Sequence, residues 1–177
     1  MAKQILEGIK AISMGSAWAG PYIGRILAEH GAEVFRVDPV EQTRARGMTR
    51  PPELIEAWKK RLLASGVPKE NVAAVGVQSP SYNSVDLVDN YGVVINLGVD
   101  KGKELFKKLV AICDIVSVGY SPNVMTNLGL DYRVLRKVKP DLIMIHIPGL
   151  GMTGPEKNVR MWGSGVEALS GIQSITG

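Results

Sequence analysis

The sequence predicts an α/β fold, with an open parallel sheet and helices on both of its faces. Short strand segments alternate with helical segments along the chain, and each strand segment is almost wholly apolar. Such strands are buried on both sides, which is typical of parallel sheets covered by helices. A chain of 177 residues, 45% of them hydrophobic, is long enough for one domain with its own core.

The first half of the chain predicts a strand–loop–helix–strand unit followed by a further helix. Pro21 is favourable in the first turn of a helix, where its missing N–H costs no hydrogen bond. The predicted elements are the strand Ile9–Met14, the loop Gly15–Gly20, the helix Pro21–His30, the strand Glu33–Val37 and the amphipathic helix Glu53–Ala64. Turn-forming residues are too frequent in Gly66–Asn83 for a regular element to be assigned there.

The second half continues the alternation of strands and helices. Asp100 is expected to cap the helix that follows it, because its carboxylate can accept a first-turn N–H. The predicted elements are the strand Val93–Leu97, the helix Lys101–Ala111, the strand Asp114–Val118, the helices Pro122–Leu128 and Tyr132–Lys139, the strand Leu142–Ile147, the loop Gly149–Pro155 and the helix Met161–Ile172.

Charge and hydropathy limit the classes of function. The net charge of +4 fits a polyanionic ligand such as a nucleotide, whereas the absence of a Lys/Arg block argues against nucleic acid. No stretch approaches the ~20 apolar residues of a membrane span, and the first residues lack the apolar core of a secretion signal. We therefore expect a cytoplasmic protein that binds neither nucleic acid nor a membrane.

Cysteine and histidine form no metal or redox motif. Cys113 is the single cysteine and lies in an apolar run, so we interpret it as a buried structural thiol. His30 and His146 have no partner at metal-ligand spacing, and we interpret them as a helix-end cap and a core histidine. No metal site is predicted.

Two of the loops expected at the carboxyl ends of the strands, where open parallel sheets bind ligands, have informative compositions. The loop Gly15–Gly20 precedes a helix whose start can receive a phosphate or a carbonyl oxygen, although a plain tight turn fits as well. Tyr120 follows a strand and can either stack on a purine or close the edge of the core.

A third loop contains Gly149, Gly151 and Gly154, which follow a strand with the spacing of a dinucleotide-binding loop. A helix should open on the third glycine, but Pro155 follows at once and Glu156–Gly165 has the composition of a loop. We therefore predict no nicotinamide or flavin site. The residues alone indicate an α/β domain whose loops suit an anion.

Several further stretches occur in a recognisable order along nearly the whole chain. They are Ala17–Tyr22, Gly31–Val34, Arg36–Pro39, Val94–Leu97, Val124–Tyr132, Pro140–Ile143, Gly149–Pro155 and Glu167–Gly171. In this order the set resembles the family III (CaiB/BaiF-type) CoA transferases, whose relatives include the α-methylacyl-CoA racemases. The individual stretches are short, and the ordered set is what makes the resemblance specific.

The resemblance implies how the chain is organised. The family fold has a large Rossmann-like domain, built from both ends of a chain roughly twice this length, with a small domain between them. Residues 1–177 would form the N-terminal part of that large domain, without the small domain and the C-terminal part. We expect a homo- or hetero-oligomer, formed with a family member or with a partner chain that supplies the C-terminal part.

The resemblance also implies the ligands. The expected substrates are an acyl-CoA and an organic acid, with no permanently bound cofactor. The residues implied to contact coenzyme A are Trp18, Ala19, Gly20, Arg36, Tyr120, Gly149, Gly151 and Gly154. Arg36, Lys101 and Lys103 are the candidate partners of the CoA phosphates, or else each is an ordinary surface charge.

The family nucleophile is an aspartate, and it is missing at the matching position here. In the family pattern it lies eight residues before the glycine that matches Gly171, and this chain has Gly163 there. Glu167 lies four residues further on, one helical turn away on the same face, and is either a displaced nucleophile or an ordinary polar residue.

Three functions follow from the resemblance. The first is a CoA transferase, or a subunit of one, that acts on an organic acid and its CoA thioester. The second is a non-catalytic partner subunit of a heteromeric or split transferase, which the glycine at position 163 favours. The third is an acyl-CoA racemase-like protein, which would need a His and Asp pair of acid–base groups.

Overall fold

The computed structural model describes residues 4–15, 19–39, 52–66, 69, 90–161 and 163–176. Within them the strands are β1 (Lys10–Gly15), β2 (Glu33–Asp38), β3 (Asn90–Val94), β4 (Ile115–Gly119) and β5 (Ile143–His146). The helices are α1 (Ala19–Glu29), α2 (Pro52–Ala64), α3 (Asp100–Ala111), α4 (Val124–Asn127), α5 (Tyr132–Val138), α6 (Gly163–Ser170) and α7 (Ile172–Thr176). Trp18 and nearly all of Gly66–Asn83 lie outside the described residues.

All neighbouring strands of the sheet are parallel, and their order is β3-β2-β1-β4-β5. The chain builds the sheet outward from β1 in one direction, then crosses to β4 and continues in the other. In open α/β sheets such a reversal of strand order creates a crevice at the carboxyl edge, here between β1 and β4. The predicted parallel α/β sheet is confirmed.

Successive residues of a strand point to opposite sides of the sheet, so apolar strands give the sheet two apolar faces. Helices cover both of these faces. On the first face Ala11 of β1 and Val34 of β2 pack with Ala28 of α1. Helix α1 lies close to β1 because Gly24 leaves room for it, since a Cβ at this glycine would be 2.7 Å from the Cβ of Ser13.

The opposite face holds the larger core. Phe106 and Val110 of α3 and Leu135 of α5 are fully buried there, together with Ile12 and Val116 of the sheet. Since each large apolar side chain contributes about 1.5–3 kcal/mol on burial, this face carries most of the hydrophobic stabilisation of the sheet.

Charged groups connect the strands at their amino ends. The backbone N–H of Lys10 donates to Oδ2 of Asp114 at 3.0 Å, and Oδ1 of the same carboxylate lies 3.4 Å from Nζ of Lys139. Nζ of Lys10 lies 3.2 Å from Oε2 of Glu33. Because partly exposed ion pairs contribute little stability individually, we interpret their main effect as fixing the register of β1, β2 and β4.

Cys113 lies beside this charged edge and is buried. Burial, followed by the charge of the neighbouring carboxylate of Asp114, raises the pKa of its thiol to about 11. The thiol is therefore neutral at physiological pH and packs as a small apolar group. The prediction of a buried structural thiol is confirmed.

Two predictions around the start of α3 are wrong. The helix begins at Asp100 itself, Val99 is its N-cap residue, and no side chain caps it. The carboxylate of Asp100 is fully exposed, 3.7 Å from Nζ of Lys103. Strand β3 ends at Val94, three residues before the predicted end, because the chain then turns at Asn96, whose Oδ1 accepts the N–H of Gly98 at 2.9 Å.

The predicted helix Met161–Ile172 is instead two short helices, α6 and α7. Gly171 separates them with a φ of +78°, a left-handed conformation that ends a helix and favours glycine. Neither α6 nor α7 has a buried residue. Among the described helices none is long and apolar enough to cross a membrane.

Candidate functional site

The candidate site lies at the carboxyl ends of β1 and β4, where the strand order reverses. Gly15 ends β1 and is paired in register with Gly119, which ends β4. Helix α1 begins at Ala19, a few residues after β1, so its first turn stands at this edge of the sheet. First-turn N–H groups and the positive end of the helix dipole favour an anion or a carbonyl oxygen at this position.

Three glycines bring main chain against main chain at this point. A Cβ on Gly20 would lie 2.9 Å from the carbonyl oxygen of Met14 and 3.1 Å from Cα of Gly119. A Cβ on Gly119 would lie 2.8 Å from Cα of Gly20, and one on Gly15 would lie 3.0 Å from Cα of Gly119. Side chains are therefore excluded from this contact, and the start of α1 rests directly on the ends of both strands.

Two buried hydroxyl groups lie behind the glycines. Oγ of Ser13 donates to the carbonyl oxygen of Gly20 at 3.4 Å, and Oγ of Ser117 donates to that of Ile12 at the same distance. Both serines are almost completely buried. Their hydroxyls satisfy polar groups beneath the site, which a packed interior requires.

Three polar side chains, those of Arg36, Asp38 and Tyr120, lie near the carboxyl ends of β2 and β4 and are at least partly buried. Nε of Arg36 donates to Oδ2 of Asp38 at 3.1 Å, and Arg36 is only 4% exposed. Burial raises the pKa of Asp38, and the charge of Arg36 opposes this rise. Tyr120 packs against the larger core, and burial, followed by the charge of Asp38, raises the pKa of its phenol to about 12. The phenol is thus a neutral hydrogen-bonding group.

The glycine loop Gly149–Gly154 follows β5, and two contacts hold its start. At its start the N–H of Ile147 donates to the carbonyl oxygen of Val118 at 3.0 Å. A Cβ on Gly149 would lie 2.9 Å from Cβ of Met161, so the chain beyond the loop returns against its first residue. Gly151 and Gly154 have φ values of +84° and +92°, which glycine adopts without strain.

Position 163 is open. Gly163 is the first residue of α6, and a Cβ there would meet no atom within 4 Å, so packing does not require a glycine. Glu167 is exposed one turn further along the same helix. Among the described residues no hydrogen bond or ion pair holds its carboxylate.

The structure brings part of the predicted set together. Ala19, Gly20 and Tyr120 lie at neighbouring carboxyl ends, and the glycine loop follows the next strand. Arg36 lies inside the sheet layer and is paired with Asp38, while Trp18 lies outside the described residues. The assignment of all of them to CoA contact stays a prediction.

Sequence reasoning missed Gly119, Asp38 and Asn158. Gly119 could have been found, because two glycines end neighbouring strands at the same register position. Asp38 closes a strand two residues after Arg36, which is also visible in the sequence. No sequence pattern points to Asn158, because Asn123, the hydrogen-bond partner of its side chain, is 35 residues away.

The histidines lie away from this group. Nδ1 of His30 is 2.8 Å from the carbonyl oxygen of Ile26 at the end of α1, which confirms the predicted cap. His146 ends β5 and is only partly buried, so the prediction of a core histidine is wrong. This partial burial lowers its pKa. In the described ranges, no three His, Cys, Asp or Glu residues are placed so that they could hold a metal ion.

The fold and this glycine-lined edge define an α/β protein with an open parallel sheet and a crevice at its carboxyl edge. The chain matches the family described as CoA-transferase family III over residues 6–177, and it therefore belongs to that family. The resemblance inferred from the ordered sequence stretches is confirmed.

Individual relatives agree with this assignment. The chain is 31% identical over 175 residues to succinyl-CoA--D-citramalate CoA-transferase of Chloroflexus aurantiacus, with 97% of this chain and 37% of that protein covered. It is 30% identical over 172 residues to the succinyl-CoA--L-malate CoA-transferase alpha subunit of the same species, covering 97% of this chain and 35% of that one. The chain thus spans less than half the length of these relatives.

A solved structure shows the same fold. The crystal structure of a CaiB/BaiF family protein from Brucella suis superposes with a TM-score of 0.77 at 26% sequence identity. The superposition covers 99% of this chain and 42% of that protein. The described residues therefore fold as the corresponding part of a larger family member does.

The contact of Gly119 with Gly20 gives a direct test of the site geometry. We expect Gly119→Ala to lower the free energy of unfolding by about 1–3 kcal/mol, because the added Cβ meets backbone atoms that cannot move alone. Gly92→Ala, in β3, is the matched control, since a Cβ there meets no atom within 4 Å. Urea unfolding of both variants measures the difference, and equal stabilities would contradict the close contact.

Tyr120 predicts a pH dependence at high pH. In the folded state the pKa of its phenol is raised to about 12 from an ordinary value of 10.0. The protein is therefore more stable when the phenol is neutral than when it is ionised. This contribution is fully present below the unfolded pKa of about 10 and is lost as pH rises through the folded pKa of about 12. Tyrosinate absorbance should show one step near pH 12 that Tyr120→Phe removes; a Tyr120→Phe titration identical to wild type would contradict the burial.

Proposed function

We propose that the chain forms the CoA-binding part of a family III CoA transferase, which moves CoA from a thioester to the carboxylate of an organic acid. The observation that carries the proposal is the glycine contact between the start of α1 and the ends of β1 and β4. It leaves main chain, and no side chains, beside the helix start. A thioester carbonyl or a phosphate can then approach backbone N–H groups closely.

The reaction class needs a carboxylate nucleophile and a place for an oxyanion. A carboxylate oxygen attacks the thioester carbon, the C–S bond breaks, the CoA thiolate leaves, and a mixed anhydride remains. Negative charge develops on the carbonyl oxygen during the attack, and preorganised N–H groups stabilise it. In this chain the candidate donors are the first turn of α1 and the loop Gly149–Gly154.

Tyr120 and the glycine loop fit the rest of the ligand. The neutral phenol of Tyr120, held partly in the core, offers an aromatic ring and a hydroxyl group to the adenine or the pantetheine arm. Gly151 and Gly154 carry no side chain that would narrow the space above β5. The guanidinium of Arg36 is already paired with Asp38. We therefore assign Arg36 a structural role at the side of the CoA site in preference to a direct contact with a phosphate.

A non-catalytic partner subunit is the second candidate, and the geometry at position 163 favours it. Gly163 supplies no carboxylate, and the carboxylate of Glu167 has no hydrogen-bond partner among the described residues that would orient it for attack. The nucleophile would then come from a second polypeptide of the same family.

Exposed apolar side chains support a further polypeptide surface beside this chain. Leu169, Ile172 and Ile175 of the pair α6–α7 are 65%, 50% and 83% exposed. Ile143 on the edge strand β5 is 56% exposed. Exposed apolar surface of this kind marks protein contacts, and one relative is itself named as an alpha subunit.

Native mass spectrometry of the protein purified from its own source tests the proposed assembly. We expect to detect it in a complex with a second family chain, or with a chain that supplies the remainder of the family fold. A protein that appears only alone or as its own oligomer would contradict the assembly and favour a CoA-binding protein without transferase activity.

Two substitutions on α6 locate the nucleophile. If Glu167 attacks the thioester, acyl-CoA should leave an adduct on this chain, and Glu167→Gln should abolish it. If the chain is non-catalytic, the adduct forms on the partner and Glu167→Gln has no effect, whereas Gly163→Asp can gain an adduct because position 163 has open space. Intact mass of each chain after incubation distinguishes the two; an adduct on neither chain in the wild-type complex would contradict the transferase mechanism.

A further inference from the structure

Asn123 uses its side chain in an unusual way. It precedes α4 with an αR backbone (φ −84°, ψ −7°) and not with the extended backbone of an ordinary N-cap, so its side chain accepts no N–H from that helix. Its Nδ2 instead donates to Oδ1 of Asn158 at 2.9 Å, across 35 residues of sequence. The amide therefore connects two loops that local structure would leave separate.

The N-cap of α5 shows what an ordinary cap does in the same chain. Asp131 accepts the N–H groups of Arg133 and Val134 at 2.8 and 3.2 Å. Asn123 has an αR backbone and not the extended backbone of Asp131, so it is not placed to cap its own helix. Its side chain is therefore available for the exposed, long-range hydrogen bond with Asn158.

The two loops joined by this bond flank the candidate site. Asn123 lies three residues after Tyr120, in the loop that follows β4. Asn158 ends the turn that follows Gly154, where the N–H of Val159 donates to the carbonyl oxygen of Glu156 at 2.9 Å. The glycine loop is thus attached to β4 at its start and to the Tyr120 loop beyond its end.

We propose that Asn123 and Asn158 are positioning residues, which hold the loop Gly149–Gly154 at a fixed distance from Tyr120. The two walls of the CoA site then form one unit and do not move independently. The proposal rests on the proposed CoA site, because it assigns both loops to that site. Neither asparagine is a catalytic residue.

The donor and acceptor roles of the two amides allow a test that preserves side-chain size. Asn158→Asp keeps the bond, because its carboxylate accepts from Nδ2 of Asn123. Asn123→Asp also keeps it, because the amide of Asn158 can turn and donate. The double variant N123D/N158D places two acceptors face to face and breaks it. A role in packing alone would not distinguish the double variant from the single ones.

Hydrogen exchange of the glycine loop measures the attachment itself. In N123D/N158D the amides of residues 149–158 should exchange about fivefold faster than in wild type, the effect of one hydrogen bond, while both single variants stay close to wild type. Asn127→Ala is the control, since Asn127 lies in the same short helix and no hydrogen bond of its side chain is found among the described residues. Equal exchange in the double variant and wild type would overturn the attachment.

CoA affinity, measured by calorimetry on the protein with its natural partner chains, tests the positioning role. The comparison is made at high ionic strength, which screens the negative charges that the aspartates add near a polyanionic ligand. There N123D/N158D should bind CoA about fivefold more weakly than wild type, and each single variant should bind as wild type does. Faster loop exchange with unchanged CoA affinity would overturn the positioning role. A wild-type protein that binds no CoA would overturn the proposed function and this role together, and the exchange rates would still decide whether the attachment exists.

Discussion

The rest of the carboxyl edge depends on the main-chain contact between the end of β4 and the start of α1. Gly15, Gly20 and Gly119 meet there without side chains, so the first turn of α1 rests directly on two neighbouring strands. A methyl group on any of these residues would meet backbone atoms, and the helix start would have to move. The strand order reverses at the same place, and the loops after β4 and β5 take their positions beside this contact.

Charges are arranged differently at the two edges of the sheet. At the amino edge Lys10, Asp114 and Lys139 link the strand starts through ion pairs and hydrogen bonds. At the carboxyl edge Arg36 and Asp38 are paired and largely buried, and Tyr120 beside them is neutral. The carboxyl edge therefore offers backbone N–H groups, glycines and an aromatic ring, a combination that suits a thioester or a phosphate better than a metal ion.

The fold could be predicted from the sequence because apolar strands alternate with helices, and the same alternation placed Gly20 and Tyr120 at carboxyl ends. The contact of Gly20 with Gly119 could not, since it joins residues that are distant in the chain and is set by how α1 packs. The hydrogen bond between Asn123 and Asn158 could not be predicted from the sequence for the same reason. Asp100 was misjudged because the turn at Asn96 starts the helix one residue early, so that its carboxylate is within the helix and not before it.

The most direct test of the central claim is an NMR titration of the isotope-labelled protein with CoA, in the presence of any partner chain that it requires. The account predicts that the amide signals of Gly15, Gly20, Gly119, Gly151 and Gly154 shift, while those of Lys10 and Asp114 at the opposite edge do not. Shifts confined to the amino edge, or no shifts at all, would contradict a CoA site between β1 and β4.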